Sequence, residues 1–581
     1  MAYSSRFSFT RMSANCFAYQ GRLLRLLIIG CVCQAPTWVA AVESMPDAGS
    51  LLRSMQLTPE KNESNPDIQN LISLEIAEEN PPDTFEIFKL VISGNTLFPT
   101  EQLHRLVADL EGKSLTFTQL EAGIQQITNL YKSKGYPLTR ALIPEQVIED
   151  GIVNIFVLEA VWGNVQIYNS SEVVDRLIER HVMELAPGKP VKQDTLDQVS
   201  LLLSDIPGVD PHFTLQAGQA AGTTDLEILT LATPPVIAEV LMDNQGSKYT
   251  GRERKSVNFL WNNPFRHGDV IGINTMTTGD LLKYERISLE LPLVSPGWLA
   301  GAALSSLEYT LGDSAASTLS SGSANQSSVW GKYQLDRSQN LNTAARLQWD
   351  HMELKDHQNA DAIKTDRTIN LLNLTVNIDA ASNQFGNARH MLTAGLTTGV
   401  LGFNDAVAES TDNNSAKHKG SFQKFNFQAS RQQYLSQTST LVMNMDSQWA
   451  FKNLDSSQKF SIGGSRSVRA YESGAISGDE GFLLSAEWRE LLPPPPEYLH
   501  LKGQWYLSVF ADAGFVKINR QPWDNAVNEQ SLSGVGWGLN WLGPDNWRAS
   551  ISMARPLEHT PAAYVSSKRM NAWFEIAKGF R

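Results

Sequence analysis

Two periodicities divide this chain. Between residues 84 and 233, apolar positions recur at three- and four-residue spacing among short apolar runs, a pattern that predicts helices packed on strands. From Pro234 onward the helical spacing stops and alternation with period two takes over. In residues 504–515, Trp505, Leu507, Val509, Ala511, Ala513 and Phe515 share one face; Gln504, Tyr506, Ser508, Phe510, Asp512 and Gly514 share the other. Leu441, Met443 and Met445 alternate in the same way with Val442, Asn444 and Asp446. Strands of about ten residues, apolar on one face and polar on the other, are the mark of a membrane β-barrel. Sixteen are predicted, starting near Val236, Glu253, Asp269, Lys283, Leu299, Ser327, Asn342, Thr368, His390, Phe422, Ser439, Gly481, Gly503, Leu532, Trp547 and Asn571. An even number closes a barrel with both ends on one side. The long polar linkers 312–326, 353–367, 401–421 and 452–480 then fall on the outer side. Tryptophans near strand ends (Trp261, Trp298, Trp330, Trp449, Trp541, Trp547, Trp573) fit an interfacial girdle. A soluble sandwich is the competing assignment, and no Cys-Trp-Cys pattern supports it.

The helical region reads as two modules. Residues 84–160 predict strand 85–92, a turn at Gly94-Asn95, and a helix with Leu103, Leu106, Val107 and Leu110 on one face. Thr118 and Glu121 have capping-box spacing before a second helix, which carries Leu120, Ile124, Ile127 and Tyr131 and stops at Gly135. Strands 138–143 and 152–158 flank a turn at Asp150-Gly151. Residues 161–233 repeat that order, with helices marked by Val174, Leu177 and Ile178 and by Leu196, Val199, Leu202, Leu203 and Ile206. One element order used twice is an internal repeat. Ahead of the modules, residues 46–57 predict a short helix with Leu51, Leu52 and Met55 on one face, too short to be stable undocked. Residues 58–83, with Pro59, Pro66, Pro81 and Pro82, predict an extended linker.

Composition narrows the class. At 581 residues the chain exceeds one domain, and its net charge of −13 argues against a nucleic-acid partner. After residue 30 no apolar run reaches the ~18 residues of a helical membrane span. Arg6, Arg11, Arg22 and Arg25 with the apolar stretch 23–33 predict an export signal, cleaved after Val39-Ala40-Ala41. Ile28-Ile29-Gly30-Cys31 offers a lipoprotein-type alternative. Cys16, Cys31 and Cys33 all lie there, so a processed chain carries neither disulfide nor cysteine metal site. No His-x-x-x-His helix, phosphate loop or nucleophile elbow occurs, so no catalytic, cofactor-binding or metal-binding residue is predicted.

The candidate site is in the linker 452–480. Gly463-Gly464 leads into Val468-Arg469-Ala470-Tyr471. If this loop folds back into the lumen, the Arg469 guanidinium can pair with a wall carboxylate. Asp512 shares strand parity with Gln504 and Ser508 and so faces the lumen. Glu487, alternating with Leu484, Ala486 and Trp488, is the rival partner. The plain alternative is an exposed loop arginine.

Export signal, short helix, linker, repeated modules and barrel together resemble the two-partner secretion transporters (TpsB family, hemolysin/hemagglutinin secretion-activation type). The modules look like polypeptide-transport-associated (POTRA) domains, and Leu142-Ile143-Pro144-Glu145-Gln146 followed by Asp150-Gly151 is similar to the pattern closing the first of them. Pro46-Asp47-Ala48-Gly49-Ser50-Leu51-Leu52-Arg53 looks like the family's plug helix. The family's loop motif Val-Arg-Gly-Tyr has Ala470 in place of glycine, and alanine at positive φ is strained. Asp512, in Phe510-Ala511-Asp512-Ala513-Gly514, matches the family's inner-wall aspartate. Trp573, Phe574, Ile576 and Phe580 resemble a barrel-assembly signal, here followed by Arg581.

The resemblance implies domains at 1–41 (signal peptide), 42–57 (plug helix), 58–83 (linker), 84–160 and 161–233 (POTRA) and 234–581 (barrel). It implies a non-enzymatic pore without cofactor in the outer membrane of a Gram-negative bacterium, its POTRA domains in the periplasm. The implied partners are a secreted exoprotein with an N-terminal secretion domain, outer-membrane lipid and the barrel-assembly machinery. An assembly or insertion factor of the same superfamily is the alternative.

Overall fold

The computed structural model describes residues 45–56, 84–293, 295–312, 320–358, 363–382, 386–496, 502–557 and 570–581. The predicted export signal and the linker 58–83 lie outside the described residues.

Helix α1 (Ala48–Gln56) comes first. The first module follows: β1 (Thr84–Ile87), β2 (Lys89–Ser93), α2 (Thr100–Val107), β3 (Lys113–Thr116), α3 (Phe117–Ser133), β4 (Arg140–Leu142) and β5 (Ile152–Leu158). The second is β6 (Val161–Ser170), α4 (Asp175–Val182), α5 (Gln193–Ser204), β7 (Val209–Ala217) and β8 (Thr223–Ala232). In the first, β5 runs parallel to β2 and antiparallel to β4. In the second, β8 runs parallel to β6 and antiparallel to β7. The repeat is therefore one of topology.

Two expectations shift. Strand 85–92 is two strands, because the chain breaks at Phe88 and β1 leaves to pair with β3. The capping box is formed by Thr116 and Gln119, not by Thr118 and Glu121. The Gln119 N–H donates to the Thr116 hydroxyl (3.2 Å), and the Thr116 N–H to the Gln119 side chain (3.0 Å). Both pairs have the same i, i+3 spacing, so pattern alone does not separate them. Leu120, Ile124, Ile127 and Tyr131 are buried as expected.

The barrel strands are β9 (Val236–Asp243), β10 (Arg254–Asn262), β11 (Val270–Thr277), β12 (Leu282–Pro292), β13 (Trp298–Thr310), β14 (Ser320–Arg337), β15 (Leu341–Gln358), β16 (Ile363–Ser382) and β17 (Ala388–Phe403). Helix α6 (Ala406–Asn413) precedes β18 (Gly420–Tyr434) and β19 (Ser439–Ala450). A small ribbon, β20 (Phe460–Ile462) and β21 (Ile476–Gly478), interrupts the series. It closes with β22 (Glu480–Leu491), β23 (Gln504–Lys517), β24 (Glu529–Leu542), β25 (Trp547–Pro556) and β26 (Asn571–Phe580). Sixteen antiparallel strands form a closed barrel, sealed by β26 on β9.

All but two strands start within three residues of the expected positions. The exceptions, β14 and β16, start earlier because parts of 312–326 and 353–367 are strand and not loop. Beyond the lipid band a ladder needs no apolar face to continue, so alternation there is silent. Inside the band the parity is as expected: Ser508, Phe510 and Asp512 point inward and are buried, while Val509 faces outward. Two of the girdle tryptophans do not face lipid. Trp330 and Trp573 are buried on the inner face. Trp330 stacks under Arg346, with the guanidinium carbon 4.5 Å from the ring centre.

The second module docks on the short turns. Asp205, capping α5, receives both arms of the Arg337 guanidinium at 2.8 Å. The Val174 N–H donates to the Arg266 carbonyl, and the Arg266 side chain to the Glu172 carbonyl, each at 2.9 Å.

Glu159, which follows β5, ties the first module together. Its carboxylate accepts from the Tyr131 hydroxyl (2.6 Å) and from the Thr96 and Leu97 N–H groups (2.9 Å each). Burial alone would raise its pKa; bonds from Thr96, Tyr131 and Leu97 hold it below the ordinary value. A folded-state pKa below the unfolded one adds stability that is complete above about pH 4.3 and is lost as pH falls through the lower folded value. Glu159→Gln should therefore weaken the module by about 1–2 kcal/mol at pH 7. Hydrogen exchange of α3 amides should show the loss at pH 7 and a shrinking difference below about pH 4.

Candidate functional site

A sixteen-strand barrel leaves an aqueous lumen unless something fills it. Here the chain fills it twice, with helix α1 and with the loop between β19 and β22.

The loop is anchored at its base and at its tip. At the base, the buried Asp479 carboxylate pairs with Lys459 (2.8 Å) and accepts from the N–H groups of Leu454 (3.1 Å) and Arg520 (2.7 Å). At the tip, Arg469 meets the wall. Its Nε and Nη2 bind the two oxygens of Asp512 at 2.9 and 2.8 Å, and its backbone N–H adds a third bond at 3.1 Å. Nη1 reaches Glu487 at 2.5 Å, and Arg489 holds the other Glu487 oxygen at 2.7 Å. The guanidinium lies 3.2 Å from the centre of the Phe510 ring. Asp512 and Glu487 are thus joint partners and not rivals. Exchanging Arg469 with Asp512 would consequently leave an aspartate facing Glu487.

The rest of the motif is packed. Val468, Ala470 and Tyr471 are buried beside Phe460, Ile462 and Val516. Ala470 carries no positive φ, so the expected strain is absent. Its methyl instead lies over Gly534, where a Cβ would come within 2.4 Å of it. Trp573 donates from Nε1 to the Arg469 carbonyl, and Asn571 to the Ala470 carbonyl, both at 2.8 Å. Of the four residues that resemble an assembly signal, Phe574, Ile576 and Phe580 face outward, whereas Trp573 serves the loop.

Helix α1 lies against an apolar stretch of inner wall. Ala48, Leu51 and Leu52 are buried, with Met55 packed alongside, against Tyr284, Leu307, Met352 and Ile369 of the wall and Leu454 of the loop. This wall went unseen in the sequence because inward faces were expected to be polar. At its N-terminus Asp47 accepts from the Ser50 N–H (2.9 Å), and the Ser50 hydroxyl accepts from the Asp47 N–H (3.0 Å). Asp47 also pairs with Arg367 of β16 at 3.1 Å. Arg367 is buried and binds two further carboxylates, Asp455 of the loop at 2.7 Å and Asp356 of β15. Burial would raise the Asp47 pKa; the Arg367 charge and bonds from Ser456 and Ser50 hold it low. Gly49 is where helix and loop touch: a Cβ there would come within 2.6 Å of the Ser457 side chain. One arginine thus joins helix, loop and wall, a link that no sequence motif marked.

A closed barrel whose lumen holds its own helix and loop, with two small α+β modules beneath it, is the architecture of an outer-membrane transporter. The model of the haemolysin secretion/activation protein ShlB/FhaC/HecB family matches residues 222–541, and that of the ShlB-type POTRA domain matches residues 85–160. The chain belongs to the ShlB/FhaC/HecB family. Heme/hemopexin transporter protein HuxB of Haemophilus influenzae (strain 86-028NP) is 26% identical over 546 residues, 92% of this chain and 95% of that protein. Outer membrane transporter CdiB of Escherichia coli O6:K15:H31 (strain 536 / UPEC) is 22% identical over 502 residues, 81% of this chain and 82% of that protein. The solved structure of CdiB from Escherichia coli superposes with a TM-score of 0.70 at 19% identity, covering 92% of this chain and 100% of that one. The protein is an outer-membrane two-partner secretion transporter with periplasmic POTRA domains.

Asp512 is the deeper carboxylate, and Glu487 keeps Arg489 when Arg469 is lost. Asp512→Ala should cost the docked loop about 3–5 kcal/mol, because it leaves a buried guanidinium half-paired. Glu487→Gln should cost about 1–2 kcal/mol. Limited proteolysis of the detergent-solubilised protein should cut within residues 452–480 readily in the first variant and slowly in the second.

Proposed function

We propose that the two POTRA modules capture an unfolded exoprotein in the periplasm and that the lumen passes it to the cell surface once α1 has left. The observation that carries this reading is how α1 is held. It contributes no strand to the barrel ladder, and its contacts are side-chain packing, ion pairs and side-chain hydrogen bonds. Its departure would open a path without unpairing any strand, which a lipid-facing wall cannot tolerate. Arg469 with Asp512 and Glu487 positions the loop tip during transport, and Phe574, Ile576 and Phe580 serve recognition by the barrel-assembly machinery.

The capture step rests on the first module. Its helices cover one face of the β2–β5–β4 sheet, and Val91, Leu142, Ile152 and Phe156 stand exposed on the other. Exposed apolar side chains on a small sheet suit an extended, unfolded polypeptide. Folding of the cargo outside supplies the direction.

Val91→Glu combined with Phe156→Glu tests this. Secretion of the cognate exoprotein into the medium should fall by about tenfold or more, roughly 1.4 kcal/mol of capture energy. Barrel assembly, read as heat-modifiable mobility in gels, should stay normal. Undiminished secretion would remove the capture step, and loss of other outer-membrane barrels would favour an assembly factor.

A further inference from the structure

The N-terminal end of α1 is held by opposite charges, but its C-terminal end is not. Arg53, in the last turn, donates from Nη2 to the side-chain oxygen of Gln448 at 3.2 Å. The same oxygen accepts from Asn426 Nδ2 at 3.0 Å, and the Lys424 ammonium, which donates to the Gln458 carbonyl at 3.0 Å, lies 3.5 Å from it. Arg53 and Asn426 take the two lone pairs of that amide oxygen, so, among the described residues, the Lys424 charge stands beside that of Arg53 with no anion between them. Nor can Gln448 turn to relieve them, because its own NH2 group is committed to the carbonyls of Gln458 and Asp479, each at 2.9 Å.

Water gives little help. Gln448 is fully buried and Lys424 is 7% exposed. Arg53 Nη1 is enclosed without a hydrogen-bond partner. Among the described residues no carboxylate pairs with either cation. Two like charges in a low-dielectric site repel far more than they would in water. The contrast with the other end is sharp: there a single guanidinium, that of Arg367, is shared by Asp47, Asp356 and Asp455.

We propose that Arg53 and Lys424 form a built-in release element, which seats the plug helix against repulsion at its C-terminal end so that this end lets go first. The proposal rests on the reading that α1 leaves the lumen. It adds where release begins, at the end that leads through residues 57–83 to the first module. A disturbance of that module is thereby transmitted to the weaker end of the helix, and the Arg367 cluster yields second. Without the repulsion the helix would be held at both ends and would seldom leave.

Planar-bilayer recording of the full-length protein tests this through the sign of the effect. Lys424→Gln and Arg53→Gln each remove one charge of the pair. Each should lower the frequency of channel opening by about fivefold, the low end of typical coupling between sites. The double variant should open no less often than the singles, because either change alone abolishes the repulsion. Arg53→Gln alters only a helix outside the barrel ladder, so it stays informative if Lys424→Gln assembles poorly. Deletion of residues 45–56 is the reference. If it fails to raise conductance, α1 is not the plug and the underlying reading falls. If it raises conductance while the single variants open as often as wild type, or more often, the contacts of Arg53 and Lys424 hold the helix in place and the release element is disproved.

Discussion

The Arg469 guanidinium is the point on which the interior depends. A buried ion pair repays its desolvation only when its remaining donors and acceptors are also used. Here both Asp512 oxygens, both Glu487 oxygens and all three guanidinium nitrogens are engaged. The geometry fixes the loop tip in register with β22 and β23 and brings the Arg469 and Ala470 carbonyls to Trp573 and Asn571 of β26. One side chain therefore ties the middle of the barrel to the strand that closes it.

The seat of the helix follows from the loop. Leu454, Asp455 and Ser457 belong to the loop base, and they supply an apolar contact, a carboxylate and a close approach to α1. The loop is thus half of the pocket in which the helix rests, and the apolar inner wall is the other half. That wall gains by burial only while the helix covers it, at about 25 cal/mol per Å2 of apolar surface. Opposing this are the two cations at the far end of the helix. The plug is the balance of these terms, and it can be strong without being permanent.

Much of this was legible in the sequence, because lipid imposes a strict rule. Each strand must present an apolar outer face with period two, so strand number, order and parity follow from alternation, and Asp512 falls on the inner wall by parity alone. The motif carried by Val468-Arg469-Ala470-Tyr471 and the apolar face of Leu51, Leu52 and Met55 were likewise readable. What stayed hidden obeys no such rule. The outer parts of β14, β15 and β16 stand where no lipid dictates alternation. The β1–β3 pair is too short for any period to register. Trp573 looks like a girdle residue until the loop it supports is in place. Arg367 sits in a stretch read as a polar linker, and its three carboxylates lie 11, 88 and 320 positions away along the chain. Such a cluster exists only in three dimensions, as does the crowding of Arg53 and Lys424 around Gln448.

The central claim is that cargo travels through the lumen past a displaced helix. Site-specific photocrosslinking to an exoprotein stalled in transit addresses it directly, with the probe at neighbouring positions of opposite parity. Asn373, on the inner face of β16, and Leu372, which is exposed on the outer face, form such a pair. The account predicts adducts with the stalled chain from position 373 and none from position 372. Adducts from position 372 alone, or from neither position while secretion proceeds, would contradict it.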